Sequence, residues 1–247
     1  AHVRMLAARG YMGAGERDAV LGELSAILAA WRRGELVVVP EDEDVHTKIE
    51  NIVTGRIGEA GQRIHTGRSR NDQVLTDMRL YCKAGLYELA EAVHATAAAF
   101  LDFAGQHALV PMPGYTHMQR AMPSSVGLWA GAFAESLGDD LRLIAGVLET
   151  IDASPLGSGA CTGISLNIDR EATRALLGFS RLQSNAIYCH NSRGKLEGAV
   201  LAALSAVMLT LGRFASDLLL YTTAEYAFFT VAPGLTTGSS IMPQKKN

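Results

Sequence analysis

Residues 192–226 read Ser192-Arg-Gly-Lys-Leu-Glu-Gly-Ala-Val-Leu-Ala-Ala-Leu-Ser-Ala-Val-Met-Leu-Thr-Leu-Gly-Arg-Phe-Ala-Ser-Asp-Leu-Leu-Leu-Tyr-Thr-Thr-Ala-Glu-Tyr226. Proline is absent and alanine and leucine dominate, so the stretch predicts one long helix. Its apolar positions Ala199, Leu201, Ala202, Leu204, Ala206, Val207, Met208, Leu209 and Leu211 surround the helix instead of forming one stripe. Such a helix must be covered on several sides. The densest apolar run, 199–211, includes Ser205 and Thr210 and falls short of the roughly 20 residues a membrane span needs, so a buried helix is expected and no membrane partner. A single small domain rarely supplies that much cover, which points to an oligomeric helical core. The competing reading is burial within one subunit.

Working outward, helical patterns also cover roughly 16–33, 45–62, 69–107, 124–152 and 170–177, with breaks at Gly10, Pro40, Gly67, Pro111–Gly114 and Pro155–Gly163. Three patterns, counting 192–226, run beyond about 25 residues, the proportions of a long bundle at a rise of about 1.5 Å per residue. Strand signals are confined to Leu36–Val39 and Phe228–Val231. The expected fold is therefore all-α, a bundle of long helices. The chain has 247 residues, 48% hydrophobic, enough for a substantial core. Its net charge of −3 gives no global attraction for nucleic acid, so any anion must be recognised locally. Cys82, Cys161 and Cys189 are scattered, without metal-site or disulfide spacing, which fits a reducing compartment and a cytoplasmic location. No signal peptide is visible, although Ala1 opens in mid-helix.

Three segments carry chemistry. Gly238-Ser-Ser-Ile-Met-Pro-Gln-Lys-Lys-Asn247 sets two adjacent hydroxyls beside two cations in a loop shaped by Gly238 and Pro243, a plausible lid over a carboxylate; the plain alternative is a polar surface loop. Thr66-Gly-Arg-Ser-Arg-Asn-Asp-Gln73 opens a long helical pattern, where Ser69 or Asn71 caps the helix and Arg68, Arg70 and Asn71 offer a carboxylate or phosphate grip; the alternative is a capped helix with surface arginines. Pro113-Gly-Tyr-Thr-His-Met-Gln-Arg120 is a Gly/Pro-bounded loop crowding Thr116, His117 and Gln119, and a lone loop histidine is commonly structural or solvated.

Taken jointly, these segments resemble the argininosuccinate lyase and δ-crystallin branch of the fumarase/aspartase superfamily, and the resemblance runs from Ala1 to Asn247. The 238–247 loop is similar to the superfamily signature, whereas Ser69-Arg-Asn-Asp-Gln73 and Gly114-Tyr-Thr-His-Met-Gln119 are similar to the argininosuccinate lyase forms of the other site segments. Asp42-Glu-Asp-Val-His-Thr-Lys-Ile-Glu50 resembles that branch's histidine-bearing helix start, and Pro155-Leu-Gly-Ser-Gly-Ala160 its glycine-rich interhelical loop. The resemblance implies an incomplete, mostly helical N-terminal domain over 1–68, an incomplete long-helix bundle over 69–247, and a further small domain beyond. It implies a homotetramer with shared active sites and no cofactor.

The implied reaction is β-elimination of argininosuccinate to arginine and fumarate. A proton leaves a carbon next to a carboxylate, and the resulting carbanion needs a base and fixed positive charge. The resemblance assigns the base to Ser239 and substrate binding to Lys245 and Asn247. His117, supported by Thr116, is the candidate to protonate the departing guanidine nitrogen. Arg70 and Asn71 hold the succinyl carboxylates, and His46, Ser69, Gln119 and Ser240 complete the polar contacts. His46 and Glu50 sit at i,i+4, a metal-ligand spacing without a third ligand, so a substrate-proximal contact is expected and no metal. Gly157-Ser-Gly-Ala-Cys-Thr-Gly163 has the wrong spacing for a dinucleotide fingerprint and reads as an interhelical turn. At 184–195 the chain keeps Arg193 but lacks the acidic residues that flank it in typical members. Other fumarate-releasing lyases, such as adenylosuccinate lyase, fumarase or aspartase, and a non-catalytic δ-crystallin-like protein are the competing assignments.

Overall fold

The computed structural model describes residues 1–246; Asn247 lies outside the described residues. Along the chain run α1 (His2–Ala8), α2 (Ala14–Arg32), α3 (Val45–Ile57), α4 (Glu59–Gln62), α5 (Arg70–Gln106), α6 (Val126–Ile151), α7 (Arg170–Leu177), α8 (Ala186–Asn191) and α9 (Lys195–Tyr221). An antiparallel hairpin, β1 (Pro111–Thr116) and β2 (Gln119–Ser125), and a parallel pair, β3 (Ala153–Ser154) and β4 (Arg181–Leu182), are the strands among the described residues. The three long helices fall where the apolar periodicity put them: 37 residues in α5, 26 in α6 and 27 in α9.

Two compact units divide the chain, one from 1–84 with 148–197, the other from 85–147 with the chain from 198 onward, so α5, α6 and α9 each run through both. The first unit's core gathers Val3, Met5, Leu6, Val20, Ile27, Val53 and Ile64 from α1, α2, α3 and the turn before α5. Its helix ends are set by side chains. The Asp44 carboxylate accepts the Thr47 N–H at the start of α3, Asp169 accepts the Ala172 N–H at α7, and Asn185 accepts the Tyr188 N–H at α8. Gly178 closes α7 in the left-handed conformation at φ +73°.

In the second unit α5, α6 and α9 meet in an aromatic cluster. Phe100 lies 4.9 Å from Phe214 and 5.6 Å from Phe133 between ring centroids, and Trp129 lies 5.4 Å from Phe133. Polar pairs fix the register of α6 against α9. The Thr210 hydroxyl donates to Asp140 at 2.7 Å and accepts from Ser136 at 2.9 Å, and the Trp129 indole donates to Asp217 at 2.9 Å. The opposite face of α9 stays open, with Leu201, Met208, Leu209 and Leu219 between 62% and 74% exposed. By length and hydropathy alone α9 would suit a membrane, and its other face is taken by those polar pairs to α6.

Four sequence expectations are corrected. Leu36–Val39 forms no strand: Leu36 packs on the first core, and the Val39 N–H goes to the Asp42 carboxylate of a following 3₁₀ turn, at 2.8 Å. Phe228–Val231 forms none either, because the Phe228 and Phe229 N–H groups both bond the Tyr221 carbonyl while their rings join the aromatic cluster. The expected helix over 45–62 is broken at Gly58, whose φ of +63° ends α3 and starts α4. The loop expected at 113–120 is instead the hairpin.

Candidate active site

In the first unit the structure gathers His46, Ser69, Arg70 and Gln73. Ser69 precedes α5, where its hydroxyl caps the helix by accepting the Asn71 N–H at 3.3 Å and its own N–H donates to the Asp72 carboxylate at 3.0 Å. Arg70 is held from several sides. Its guanidinium lies 3.0 Å from Asp44 and 3.2 Å from Glu50, and donates to Gln73 at 2.9 Å and Thr47 at 3.1 Å. Gln73 also bonds His46 Nδ1 at 2.9 Å, and His46 Nε2 lies 3.2 Å from Asp77. Both His46 nitrogens therefore have protein partners, and Glu50 bonds Arg70 and His65. Burial works to raise the Glu50 carboxyl, but hydrogen bonds from Arg70 and His65 outweigh it and hold the group below its ordinary value.

A cavity of about 160 Å³ opens among these residues, walled by His46, Glu50, Arg68 and Gln73 with Val3 and Ile64. Arg68 reaches Glu50 only at 3.7 Å, and its buried Nε has no hydrogen-bond partner among the described residues. Asn71 stands exposed at the second helical position, where the α5 N-terminus adds partial positive charge. The chain entering α5 is anchored by His2, whose Nε2 donates to the Thr66 carbonyl at 2.8 Å. Burial, with Arg68 nearby, pushes His2 down to about 4, so its ring is neutral across ordinary pH.

The residue that the sequence reading passed over is Asp72. It is completely buried and accepts N–H groups from Ser69, Gly157 and Gly159. Ser69 and Asp72 stand three apart, the spacing of a capping box, which was the available signal; the two glycines lie 85 and 87 residues away and gave none. Their N–H groups are thus committed to a side chain, which agrees with reading 157–163 as an interhelical turn and not a nucleotide loop.

In the second unit Thr116, His117 and Gln119 occupy the hairpin tip. Thr116 pairs with Gln119, and the two residues between them, His117 and Met118, have φ of +50° and +61°. Positive φ at both central positions is the type I′ signature, a turn usually given to Asn-Gly. A shift in register follows Pro113, and Gly114 is required there: a Cβ would lie 2.9 Å from the Met122 carbonyl oxygen. All three candidate side chains are exposed.

Ser239, Ser240 and Lys245 share a second loop of this unit. A bridge between Gly238 and Lys246 closes it, the Lys245 N–H bonds the Met242 carbonyl at 2.9 Å, and Ser239 Oγ accepts the Met242 N–H at 3.2 Å. Ser239 is half-buried and Ser240 exposed. Among the described residues Lys245 forms no ion pair and no hydrogen bond joins Ser239 to His117. Asn247, the remaining candidate, lies outside the described residues.

A family model described as lyase matches residues 2–247. The chain is similar to argininosuccinate lyase of Sorangium cellulosum, at 47% identity over 247 residues, covering 100% of this chain and 57% of that protein. It is also similar to argininosuccinate lyase of Thermotoga neapolitana, at 42% identity over 246 residues, covering 100% and 62%. It spans little more than half the length of these curated relatives. Among solved structures it superimposes on an EDDS lyase variant with bound fumarate, with a TM-score of 0.91 at 29% identity over 100% of this chain and 48% of that one. A class II fumarase from Schistosoma mansoni, at 18% identity and a TM-score of 0.82 over 100% of this chain and 60% of its own, shares the fold. The architecture is thus the long-helix bundle of the fumarase/aspartase type, and the chain belongs to the lyase family.

Proposed function

We propose that the full-length protein carrying this chain cleaves argininosuccinate to arginine and fumarate by β-elimination. The observation that carries this reading is similarity through the whole chain, at 42–47% identity, to relatives named argininosuccinate lyase. In this reading Ser239 takes the proton from the carbon next to a succinyl carboxylate. The Met242 N–H directed at Ser239 Oγ favours the alkoxide that a serine base requires, and Lys245 of the same loop adds positive charge to the segment. The electron pair left on carbon spreads into the carboxylate and then forms the fumarate double bond as the carbon–nitrogen bond breaks. His117, exposed at the hairpin tip with Thr116 and Gln119 beside it, gives a proton to the departing guanidine nitrogen. Arg70, Asn71 and Ser69 hold the substrate carboxylates, with His46 behind them. Arg70 begins with two protein carboxylates at its guanidinium, so its share of substrate binding is an exchange of partners. Lys245 and Asn247 bind the substrate from the second loop, with Ser240 beside them.

The open apolar face of α9 supports an oligomer, and we place it as a homotetramer with active sites at subunit boundaries. Three free cysteines suit a cytoplasmic home. Fumarate absorbance with argininosuccinate, adenylosuccinate, malate and aspartate tests the substrate, and preferential turnover of any of the last three rejects it. Mixing His117→Ala and Ser239→Ala proteins tests the shared sites. Recovered activity in hybrid tetramers is expected, and none in verified hybrids overturns that arrangement.

A further inference from the structure

We infer that Asp72 is a positioning residue, tying the substrate-gripping start of α5 and the glycine loop at 157–159 into one rigid piece. This rests on the proposed roles of Ser69, Arg70 and Asn71. One carboxylate oxygen accepts the Ser69 N–H at 3.0 Å; the other accepts Gly157 at 3.0 Å and Gly159 at 2.9 Å. Asp72 is inaccessible to solvent and forms no ion pair among the described residues, so backbone dipoles supply its hydrogen bonds.

The glycine loop is built around that oxygen. Gly157 and Gly159 have φ of +85° and +67°, which turns their N–H groups onto a single point, the concave backbone geometry that cradles anions. Here the anion is a side chain of the same protein. A side chain is strained at both positive-φ positions, and at 159 it also meets backbone. A Cβ at 157 would fall 2.7 Å from Ile168 Cδ1, and one at 159 would fall 2.8 Å from the Gly163 carbonyl oxygen. Ser158 between them is fully buried. Through Asp72 the loop is tied to the backbone from which Arg70 and Asn71 project.

Asparagine has nearly the same shape but one acceptor oxygen, so Asp72→Asn leaves either Ser69 or the two glycines facing an N–H. In the full-length protein this variant should raise KM for argininosuccinate and Kd for fumarate about 10- to 100-fold, the usual effect of misplacing a binding group by an ångström or less. The value of kcat should stay within about threefold, because the proton-transferring groups lie elsewhere in the chain. A variant with a lower Tm but unchanged KM and Kd overturns the inference, since a purely structural role moves only the first. Should Asp72→Asn fail to fold, amide exchange in the wild-type protein decides the matter. Saturating fumarate should slow exchange at Gly157 and Gly159, and unchanged exchange overturns the coupling. Wild-type protein that binds fumarate without cleaving argininosuccinate rejects the substrate reading alone, and the binding and exchange measurements still decide Asp72. Protein that binds no dicarboxylate overturns both.

Discussion

The start of α5 and the β1–β2 hairpin tip both present polar candidate residues, but they are held by opposite means. At α5, Arg70, Gln73 and His46 are linked to one another and to Asp44 and Glu50, while the buried Asp72 ties Ser69 to the glycine loop. At the hairpin, His117 and Met118 are exposed, and what places them is a turn with two side-chain-bearing residues at positive φ. The first is preorganised by hydrogen bonds, the second by backbone geometry. The 238–246 loop is closer to the second kind, closed by one bridge and one turn. Networks of the first sort resist displacement and suit binding. Exposed loops of the second sort are free to meet a ligand, and their chemistry depends on few contacts.

On that contrast the largest single effect belongs to the sparsely held loop. Ser239→Ala in the full-length protein should lower kcat by about 10²–10⁴ with little change in substrate affinity, whereas Ser240→Ala is mild. Single-turnover rates beside dissociation constants separate the two, and a collapse in Ser240→Ala with normal chemistry in Ser239→Ala moves the base to Ser240.

The next effect falls on the cross-linked region. Gly159→Ala adds a Cβ against the Gly163 carbonyl at a φ of +67°, so a stability loss of about 2–4 kcal/mol is expected in denaturant titration. A loss below about 0.5 kcal/mol means the loop yields and the region is softer than described.

A third test uses pH. His2 titrates near 4 when folded against 6.5 ordinarily, so the unfolded chain takes up the proton first as pH falls. The stability gained by keeping His2 neutral is complete above pH 6.5 and is lost progressively toward about 4. His2→Gln keeps a donor for the Thr66 carbonyl without the titration, and the Tm–pH curve should flatten over that window. A parallel curve removes His2 as the source.

The smallest effect sharpens the hairpin side. Met118→Gly relieves one positive-φ side chain and should stabilise the protein by up to about 1 kcal/mol, since glycine's gain at φ +61° is offset by its unfolded-state entropy. Destabilisation instead means that the Met118 side chain supports the turn.

The sequence was sufficient for the three long helices. Apolar periodicity in 69–107, 124–152 and 192–226, and caps such as Ser69, depend on neighbours within a few positions, and local spacing determines them. It misled where pairing decides. Leu36–Val39 has strand-forming residues but meets no partner strand, while Pro111–Ser125, rich in the proline and glycine that usually break structure, pairs across a turn lacking Asn-Gly. The candidate residues were nameable because their motifs are contiguous, yet the partners that hold them are not. Arg70 meets Glu50 from 20 residues away, and Asp72 meets Gly157 from 85. Composition and short-range order fixed which segments become helices and which loops carry charge. Only the tertiary structure decided that a buried carboxylate joins the start of α5 to the glycine loop, because a buried charge is stable only where distant backbone N–H groups are brought to it.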